Sequence, residues 1–265
     1  MNIFNCFFSN KEIIVQLIKK EVIAKYKGSY LGLLWSFVTP LIMLAVYTFV
    51  FSVVFKAKWK IDTDETGIHF ALVLFCGLIV FNLFSECMLK APTLISSYPH
   101  YVKKIVFPLE VLPISVLGAA LFHYCINMIV LLVGLLIFSG LPSGHIFLLP
   151  LIIIPLCMFA LGMSWFLSSL GVFIKDISYG INIFVQLLFF LTPIFYPLSA
   201  VPDKFRFFLR LNILSTFVEQ ARDIIVFNQS FNWGWWAVCL IISSVIFILG
   251  YKWFMKTKKA FADVI

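Results

Sequence analysis

The chain has 265 residues, of which 62% are hydrophobic and 12% charged, and its formal net charge is +8 at pH 7. A soluble globular domain carries about 25% charged and about 45–50% apolar residues, so this composition excludes a water-soluble protein and indicates an integral membrane protein. The lysines lie beside apolar stretches, which favours anionic lipid and membrane topology over nucleic acid as the reason for the charge.

The first predicted element is a helix over residues 12–27. At 100° per residue it has two apolar stripes on opposite sides, Val15, Ile18, Val22 and Tyr26 on one and Ile13, Leu17 and Ala24 on the other. Two arrangements fit this pattern: an amphipathic helix on the membrane surface that also contacts a cytoplasmic partner, or a helix packed on its own protein. After it, Gly28 and Gly32 permit a turn or the close approach of another helix.

Six apolar stretches follow, and crossing about 30 Å of hydrocarbon takes roughly 20 residues. They are residues 34–55, 70–90, 112–138, 147–173, 177–198 and 233–254. Six spans put both termini on one side, where the flanks hold 13 of the 20 lysine and arginine residues. The positive-inside rule therefore predicts an all-α protein with a cytoplasmic amino-terminal segment (1–33), a transmembrane domain (34–255) and a cytoplasmic tail (256–265).

The connection between the second and third spans contains a basic and aromatic unit, residues 98–107. Pro99, Pro108 and Pro113 punctuate it, and proline stops helices and fixes turns. We expect a short, stiff cytoplasmic element here, although a plain connecting loop fits the same residues.

Residues 192–232 are predicted to lie on the external side. Pro193, Pro197 and Pro202 interrupt the start of this region, and residues 205–211 are too apolar for a solvated loop. Irregular backbone at membrane depth is tolerated where protein or a water-filled cavity covers it. Short helices that dip into the outer leaflet, forming an external gate, are therefore expected.

Polar residues within the spans occur as pairs four residues apart, on one face of a helix: His123 with Asn127, Asn182 with Gln186, and Glu86 with Lys90. Such residues rarely face lipid. The first two pairs fit either interhelical hydrogen bonds or the lining of a pore, and the third predicts a salt bridge within its own helix.

Two patterns bear on catalysis. The sequence has no GxxxxGK[ST] motif, so energy for uphill work has to come from another protein. Asp62 and Asp64 resemble the paired acids that hold a metal in sugar transferases, but their predicted external position disfavours that alternative. We expect no cofactor, metal or catalytic residue in this chain.

Five motifs in chain order carry a family resemblance: KYKGSYLGLLWSFVTPL, VKKIVFPLEVLP, GVFIKDI, TPIFYP and FADVI. Together they resemble ABC-2 type permeases, in particular those that export O-antigen, capsule or teichoic acid. The resemblance implies a homodimer in the bacterial inner membrane, two copies of a partner ATPase that uses ATP and Mg, and a lipid-linked glycan as substrate. O-antigen is the first expectation, and teichoic acid, capsule, a drug or a lipid are the alternatives.

The resemblance also implies roles for particular residues. Coupling to the ATPase is expected from Lys19, Tyr98, His100, Tyr101, Lys103, Lys104 and Phe107. The channel lining is expected to include His123, Asn127, Asn182, Phe184, Gln186, Phe189 and Phe190, because amides and aromatic rings suit sugars. The external gate is expected at Phe195, Tyr196 and Pro197, beside re-entrant helices. Residues 12–27 would match the family's interface helix, and residues 97–107 its coupling helix.

Overall fold

The computed structural model describes residues 9–54, 67–103, 107–138 and 144–264. Lys104, Asp62 and Asp64, which the sequence singled out, lie outside these ranges. The helices are α1 (Lys11–Tyr26), α2 (Trp35–Tyr47), α3 (Gly67–Leu94), α4 (Pro99–Val102), α5 (Val111–Phe138), α6 (Leu149–Phe173), α7 (Ile177–Leu191), α8 (Asp203–Leu211), α9 (Ile213–Ile225), α10 (Trp233–Thr257) and α11 (Phe261–Val264). A π-helical segment, Thr48–Val54, extends α2.

Within the described ranges, five helical segments are long and apolar enough to cross a membrane. They are Gly32–Phe51, Phe70–Leu94, Val111–Phe138, Gly144–Phe173 and Trp233–Val264. These segments confirm an all-α membrane protein and coincide with five of the six predicted spans.

The remaining predicted span, residues 177–198, contains the shorter helix α7. Its 15 residues end at Leu191, and Thr192 is extended, with φ −91° and ψ 133°. Pro193 explains the stop, because the residue before a proline is pushed out of the helical region. A helix of this length rises about 22 Å, less than the hydrocarbon thickness of about 30 Å. The sixth crossing therefore stays a prediction.

Helix α3 lies at the centre of the bundle and is buried along most of its length. Helices α5, α6, α7 and α9 all contact it, while α10 packs mainly on α6. Two glycines allow the α6–α10 contact. A β-carbon at Gly162 would lie 2.6 Å from the carbonyl oxygen of Ile246, and one at Gly250 would overlap the Gly162 carbonyl.

Helix α1 packs on α5 through one face, which buries Ile14, Leu17, Glu21 and Val22. This face combines members of both predicted stripes, because the packed surface runs between them. Packing on its own protein, one of the two predicted arrangements, is thus confirmed for this face. Val15 and Ile23 are 42% and 54% exposed, so an apolar strip of the same helix is left uncovered by the described residues.

The glycines after α1 form a turn. Gly28 has φ +84° and Gly32 has φ +52°, the left-handed region that glycine adopts without steric cost. No described atom would lie within 4 Å of a β-carbon at either position. Of the two predicted roles, the turn is therefore the one the described residues display.

Candidate functional site

A cavity of about 660 Å³ lies among the membrane helices, between α2, α3, α5 and α7, with the end of α1 at its edge. Its polar lining includes Asn82, Ser85, Glu86, His123 and Asn127, and its aromatic lining includes Tyr26, Trp35, Tyr47, Phe75 and Phe189. Amides, charges and rings therefore share one surface within an otherwise apolar bundle. Such a mixed surface can bind a polar ligand that also has apolar faces.

An ionic cluster lies at one end of the cavity. The Glu86 carboxylate lies 3.2 Å from the Lys25 ammonium and 3.0 Å from Nδ1 of His123. The edge of the Tyr26 ring meets the His123 ring, with 6.0 Å between their centroids. Burial raises the pKa of Tyr26, and the nearby Glu86 carboxylate raises it further. This cluster joins α1, α3 and α5 at the mouth of the cavity.

A second ion pair lies one helical turn away. The Lys90 ammonium donates to Glu21 of α1 over 2.7 Å, and the Tyr98 hydroxyl donates to the other oxygen of Glu21 over 2.6 Å. The predicted salt bridge between Glu86 and Lys90 is therefore wrong. Each of these residues pairs with α1 instead, because α1, packed on α5, presents Glu21 and Lys25 to α3 at the same four-residue spacing.

The predicted cytoplasmic element forms the single-turn helix α4, bordered by stacked rings. The ring centroids of Tyr98 and Tyr101 are 5.5 Å apart, and those of Tyr101 and Phe107 are 4.3 Å apart. The Lys20 ammonium lies 4.5 Å from the centroid of the Tyr98 ring. Burial and the hydrogen bond to Glu21 raise the pKa of Tyr98. Together these contacts attach α4 to α1.

Three further residues expected to couple to an ATPase lie at the surface. Lys19, His100 and Lys103 are exposed, and Lys104 lies outside the described ranges. At the same end of the bundle, Lys258 after α10 forms an ion pair of 2.5 Å with Glu110, just before α5. The amino-terminal helix, α4 and the end of α10 therefore share one end of the molecule, called here the terminal end.

The residues expected to line a channel fall into two groups. His123, Asn127 and Phe189 line the cavity. Asn182, Phe184, Gln186 and Phe190 lie instead on the exposed face of α7, where the Asn182 amide donates to the Ser178 carbonyl. The structure thus brings three of the seven residues together and leaves four on an uncovered helix face.

Aromatic rings lie at the opposite end of the cavity. Phe195 contacts Phe51 and Phe189, at centroid distances of 6.0 Å and 5.1 Å. The Tyr196 hydroxyl donates to the Phe190 carbonyl over 2.9 Å, and Pro197 is half-buried beside it. Of the three residues predicted as a gate, Phe195 therefore contacts the cavity lining at Phe189, and Tyr196 and Pro197 follow it in the chain.

Arg222, which holds the turn at Pro193 and Ile194 in place, was not predicted from the sequence. Its guanidinium is buried and donates to the carbonyls of Val73 on α3 (3.0 Å), Pro193 (2.5 Å) and Ile194 (2.5 Å). Gly77 leaves the space, since a β-carbon there would overlap the guanidinium. In the sequence Arg222 counted only as a charge in the external flank. The one available signal was that Arg222 lies on the same helix face as the apolar residues Val218 and Ile225.

A multi-helix membrane protein with a polar and aromatic cavity among its helices is the class that this geometry defines. The chain belongs to the ABC-2 type transporter family, whose sequence model matches residues 12–226. This confirms the resemblance seen in the sequence motifs.

Curated relatives match most of the chain, and two of the three match nearly all of it. Two O-antigen export system permease proteins RfbA from Klebsiella pneumoniae are each 26% identical to it over 255 residues, which is 96% of this chain and 95% of theirs. An O-antigen export system permease protein RfbA from Myxococcus xanthus is 28% identical over 197 residues, which is 74% of this chain and 73% of its own.

Proposed function

We propose that this chain is the membrane subunit of an ATP-driven exporter that moves a lipid-linked polysaccharide, O-antigen in the first instance, out of the bacterial cytoplasm. The observation that carries the proposal is the match to O-antigen export permeases along 96% of the chain. Family membership supports a transport subunit that works with an ABC ATPase. The chain itself then contributes a path for the glycan and a surface that binds the ATPase.

The cavity suits a sugar chain chemically. Sugar hydroxyls can exchange hydrogen bonds with the amides of Asn82 and Asn127, which line it. The C–H faces of sugar rings can pack on Trp35 and Phe189 in the same lining. The cavity is the part of the path that one copy of the chain encloses.

The uncovered face of α7 supports a homodimer. Asn182 and Gln186 are exposed there between Phe184 and Phe190. Amides that face hydrocarbon are costly, whereas a second copy or a wet conduit would satisfy them. The proposed conduit therefore runs between two copies, and α7 is the helix that each contributes to it.

The terminal end offers the surface for two ATPase subunits, and it is the proposed cytoplasmic side of the inner membrane. Lys19 on α1, His100 on α4 and Lys103 just after α4 are exposed. A push on α4 would reach α1 through the Tyr98–Glu21 hydrogen bond, and then the cavity through Lys25 and Glu86. Such a rigid-body shift would couple Mg-dependent ATP hydrolysis in the partner ATPase to opening of the glycan path.

The opposite end would then face outward. Phe195, with Phe51 and Phe189, closes the cavity there, and α8 and α9 are short enough to enter the outer leaflet without crossing it. In this scheme Arg222 positions the turn at Pro193 and Ile194 that precedes the gate residue Phe195.

The test is deletion of the gene in its own host, followed by complementation with a tagged copy. The expected result is loss of surface polysaccharide, accumulation of lipid-linked glycan inside the cell, and co-purification of the tagged chain with an ABC ATPase. Intact surface polysaccharide in the deletion strain would contradict the substrate. A solubilised chain that never retains an ATPase would contradict the motor partnership.

A further inference from the structure

A second concave surface lies on the outside of the bundle, between α6 and α10. This groove has a volume of about 470 Å³ and is lined mainly by apolar atoms. Its lining includes Gly162, Phe166, Gly250, Lys252, Trp253 and Lys256. It shares no lining residue with the cavity described above, so it is a separate site.

Two glycines lie in the lining of the groove. The backbones of α6 and α10 touch where Gly162 faces Ile246 and Gly250. A β-carbon at either glycine would enter the opposite backbone, so glycine permits this contact, and the groove runs along it. Phe166 and Trp253, whose ring centroids are 5.7 Å apart, lie beside it.

Two ammonium groups lie at one end of the groove. Lys252 and Lys256 are one turn apart on α10, and both side chains are exposed. Within the described ranges neither is in an ion pair, whereas Lys258, two residues further on, pairs with Glu110. The groove lining contains no acidic residue. The site is therefore apolar along its length and cationic at its terminal end.

The length of the groove matches one leaflet of a bilayer. From residue 246 to residue 256 an α-helix rises about 15 Å, which is half of a hydrocarbon core of about 30 Å. The deep part lies beside Ile246, and the lysines lie toward the membrane surface, where a long side chain can extend its charge to the headgroups.

We propose that this groove binds an anionic phospholipid of the leaflet on the terminal side. One acyl chain lies over Gly162 and Gly250, and the lipid phosphate lies between the Lys252 and Lys256 ammonium groups. A bilayer phospholipid fits better than a lipid-linked glycan, because little of the lining is polar and it has no amide, carboxylate or hydroxyl side chain to exchange hydrogen bonds with a sugar chain. The bound lipid would reinforce the contact between α6 and α10.

The experiment uses the purified, delipidated full-length chain in detergent, titrated with phosphatidylglycerol or phosphatidylcholine of identical acyl chains and followed by native mass spectrometry. The variant is Lys252→Gln with Lys256→Gln. The matched control, Lys175→Gln with Lys259→Gln, removes two other exposed lysines. We expect the wild type to prefer phosphatidylglycerol, and the groove variant to bind it about 25-fold more weakly, since each lysine near a headgroup contributes about fivefold. The control should keep the wild-type affinity.

A second variant, Leu249→Trp, fills the apolar part of the groove without changing charge, and it should weaken the binding of both phospholipids. Equal wild-type affinity for the two phospholipids would overturn the proposal, as would equal losses in the groove and control pairs. Tighter binding of a polyprenyl-linked glycan than of phosphatidylglycerol, abolished by the groove pair, would also overturn it. Melting curves identify any variant that fails to fold, in which case Lys252→Arg with Lys256→Arg should retain binding. These readouts need no transport, so their failure leaves the proposed export function untouched.

Discussion

The Glu21 carboxylate of α1 lies 2.7 Å from the Lys90 ammonium of α3, and one turn further along the same two helices carry Lys25 and Glu86, 3.2 Å apart. The two pairs have opposite polarity: in the first the acid is on α1 and the base on α3, and in the second the base is on α1 and the acid on α3. A register shift of one turn would place like charges together. The pairs therefore fix the position of the amino-terminal helix along the central helix.

Tyr98→Phe is expected to weaken the link between α4 and α1. It removes the hydroxyl that donates to Glu21 over 2.6 Å and keeps the ring stacked on Tyr101. Hydrogen bonds to charged groups contribute about 1.5–3 kcal/mol, and the half-buried position places this one near 1.5. We expect a lower melting temperature of the solubilised protein and reduced export. Tyr101→Phe, which also removes a hydroxyl from the same stack, is the control for stability and should keep the wild-type melting temperature.

Charge reversal should reveal the pairing of Lys25 with Glu86. Lys25→Glu puts two carboxylates beside His123, and Glu86→Lys puts two ammonium groups there, so each single variant should reduce stability and export. The double variant restores opposite charges and should recover part of both. Complementation of a deletion strain and melting curves provide the measurements. A double variant that behaves as the sum of its singles would show that the two side chains do not interact.

Hydropathy alone was sufficient for five of the membrane helices, because each is a long apolar run that water would reject. It overestimated the predicted span over residues 177–198, where the run continues past Leu191 although Pro193 ends the helix. Helical periodicity likewise placed Asn182 and Gln186 on one face of α7, and both are exposed. A periodicity cannot say which neighbour a face meets, so their separation from His123 and Asn127 was not predictable.

Ion pairs were harder to predict than helices. Four-residue spacing made Glu86 and Lys90 natural partners within α3, but the same spacing in Glu21 and Lys25 allowed the two helices to pair with each other. Only the tertiary approach of α1 decides between these arrangements. Arg222 shows the same limit, since its acceptors at Val73, Pro193 and Ile194 are backbone carbonyls, which every residue possesses.

Arg222→Lys is expected to release the turn that follows α7. A lysine ammonium lacks the planar fork that reaches Val73, Pro193 and Ile194 together. Leaving buried carbonyls without donors costs about 1–3 kcal/mol each, so a loss of about 2–4 kcal/mol in unfolding free energy is expected. Gly77→Ala should have a similar effect, because its β-carbon would displace the guanidinium.

The control for this prediction is Arg206→Lys. Arg206 pairs with Asp203, whose side chain is 89% exposed, and also donates to the Val201 carbonyl over 2.9 Å. Because surface ion pairs contribute about 0–1 kcal/mol and a net hydrogen bond about 0.5–1.5 kcal/mol, the loss in Arg206→Lys should be smaller than in Arg222→Lys. Denaturation of the solubilised chain, monitored by circular dichroism, supplies the comparison. If Arg222→Lys and Arg206→Lys lower the unfolding free energy equally little, the Arg222 guanidinium does not hold the turn.

Phe195→Ala tests the proposed gate. The change removes a ring that contacts Phe51 and Phe189 at the end of the cavity, so the closed state should leak. We expect faster uptake of a small polar dye by cells or proteoliposomes that contain the variant. Phe208→Ala removes a ring of the same size that is 66% exposed on α8, and it should not leak. Equal permeability of the two variants would place the gate elsewhere.

The pH dependence of stability should include a contribution from Asp223. Burial raises the pKa of this carboxyl above its ordinary value of 3.8, although the neighbouring Arg222 partly offsets the shift. The folded chain therefore binds the Asp223 proton more tightly than the unfolded chain does. The stability linked to this proton is fully present below pH 3.8 and is lost as pH rises through the raised pKa. Asp223→Asn should remove this slope from melting temperatures measured across that interval. Asp203→Asn, at a side chain that is 89% exposed, should keep it, and an unchanged slope in Asp223→Asn would assign the dependence to another group.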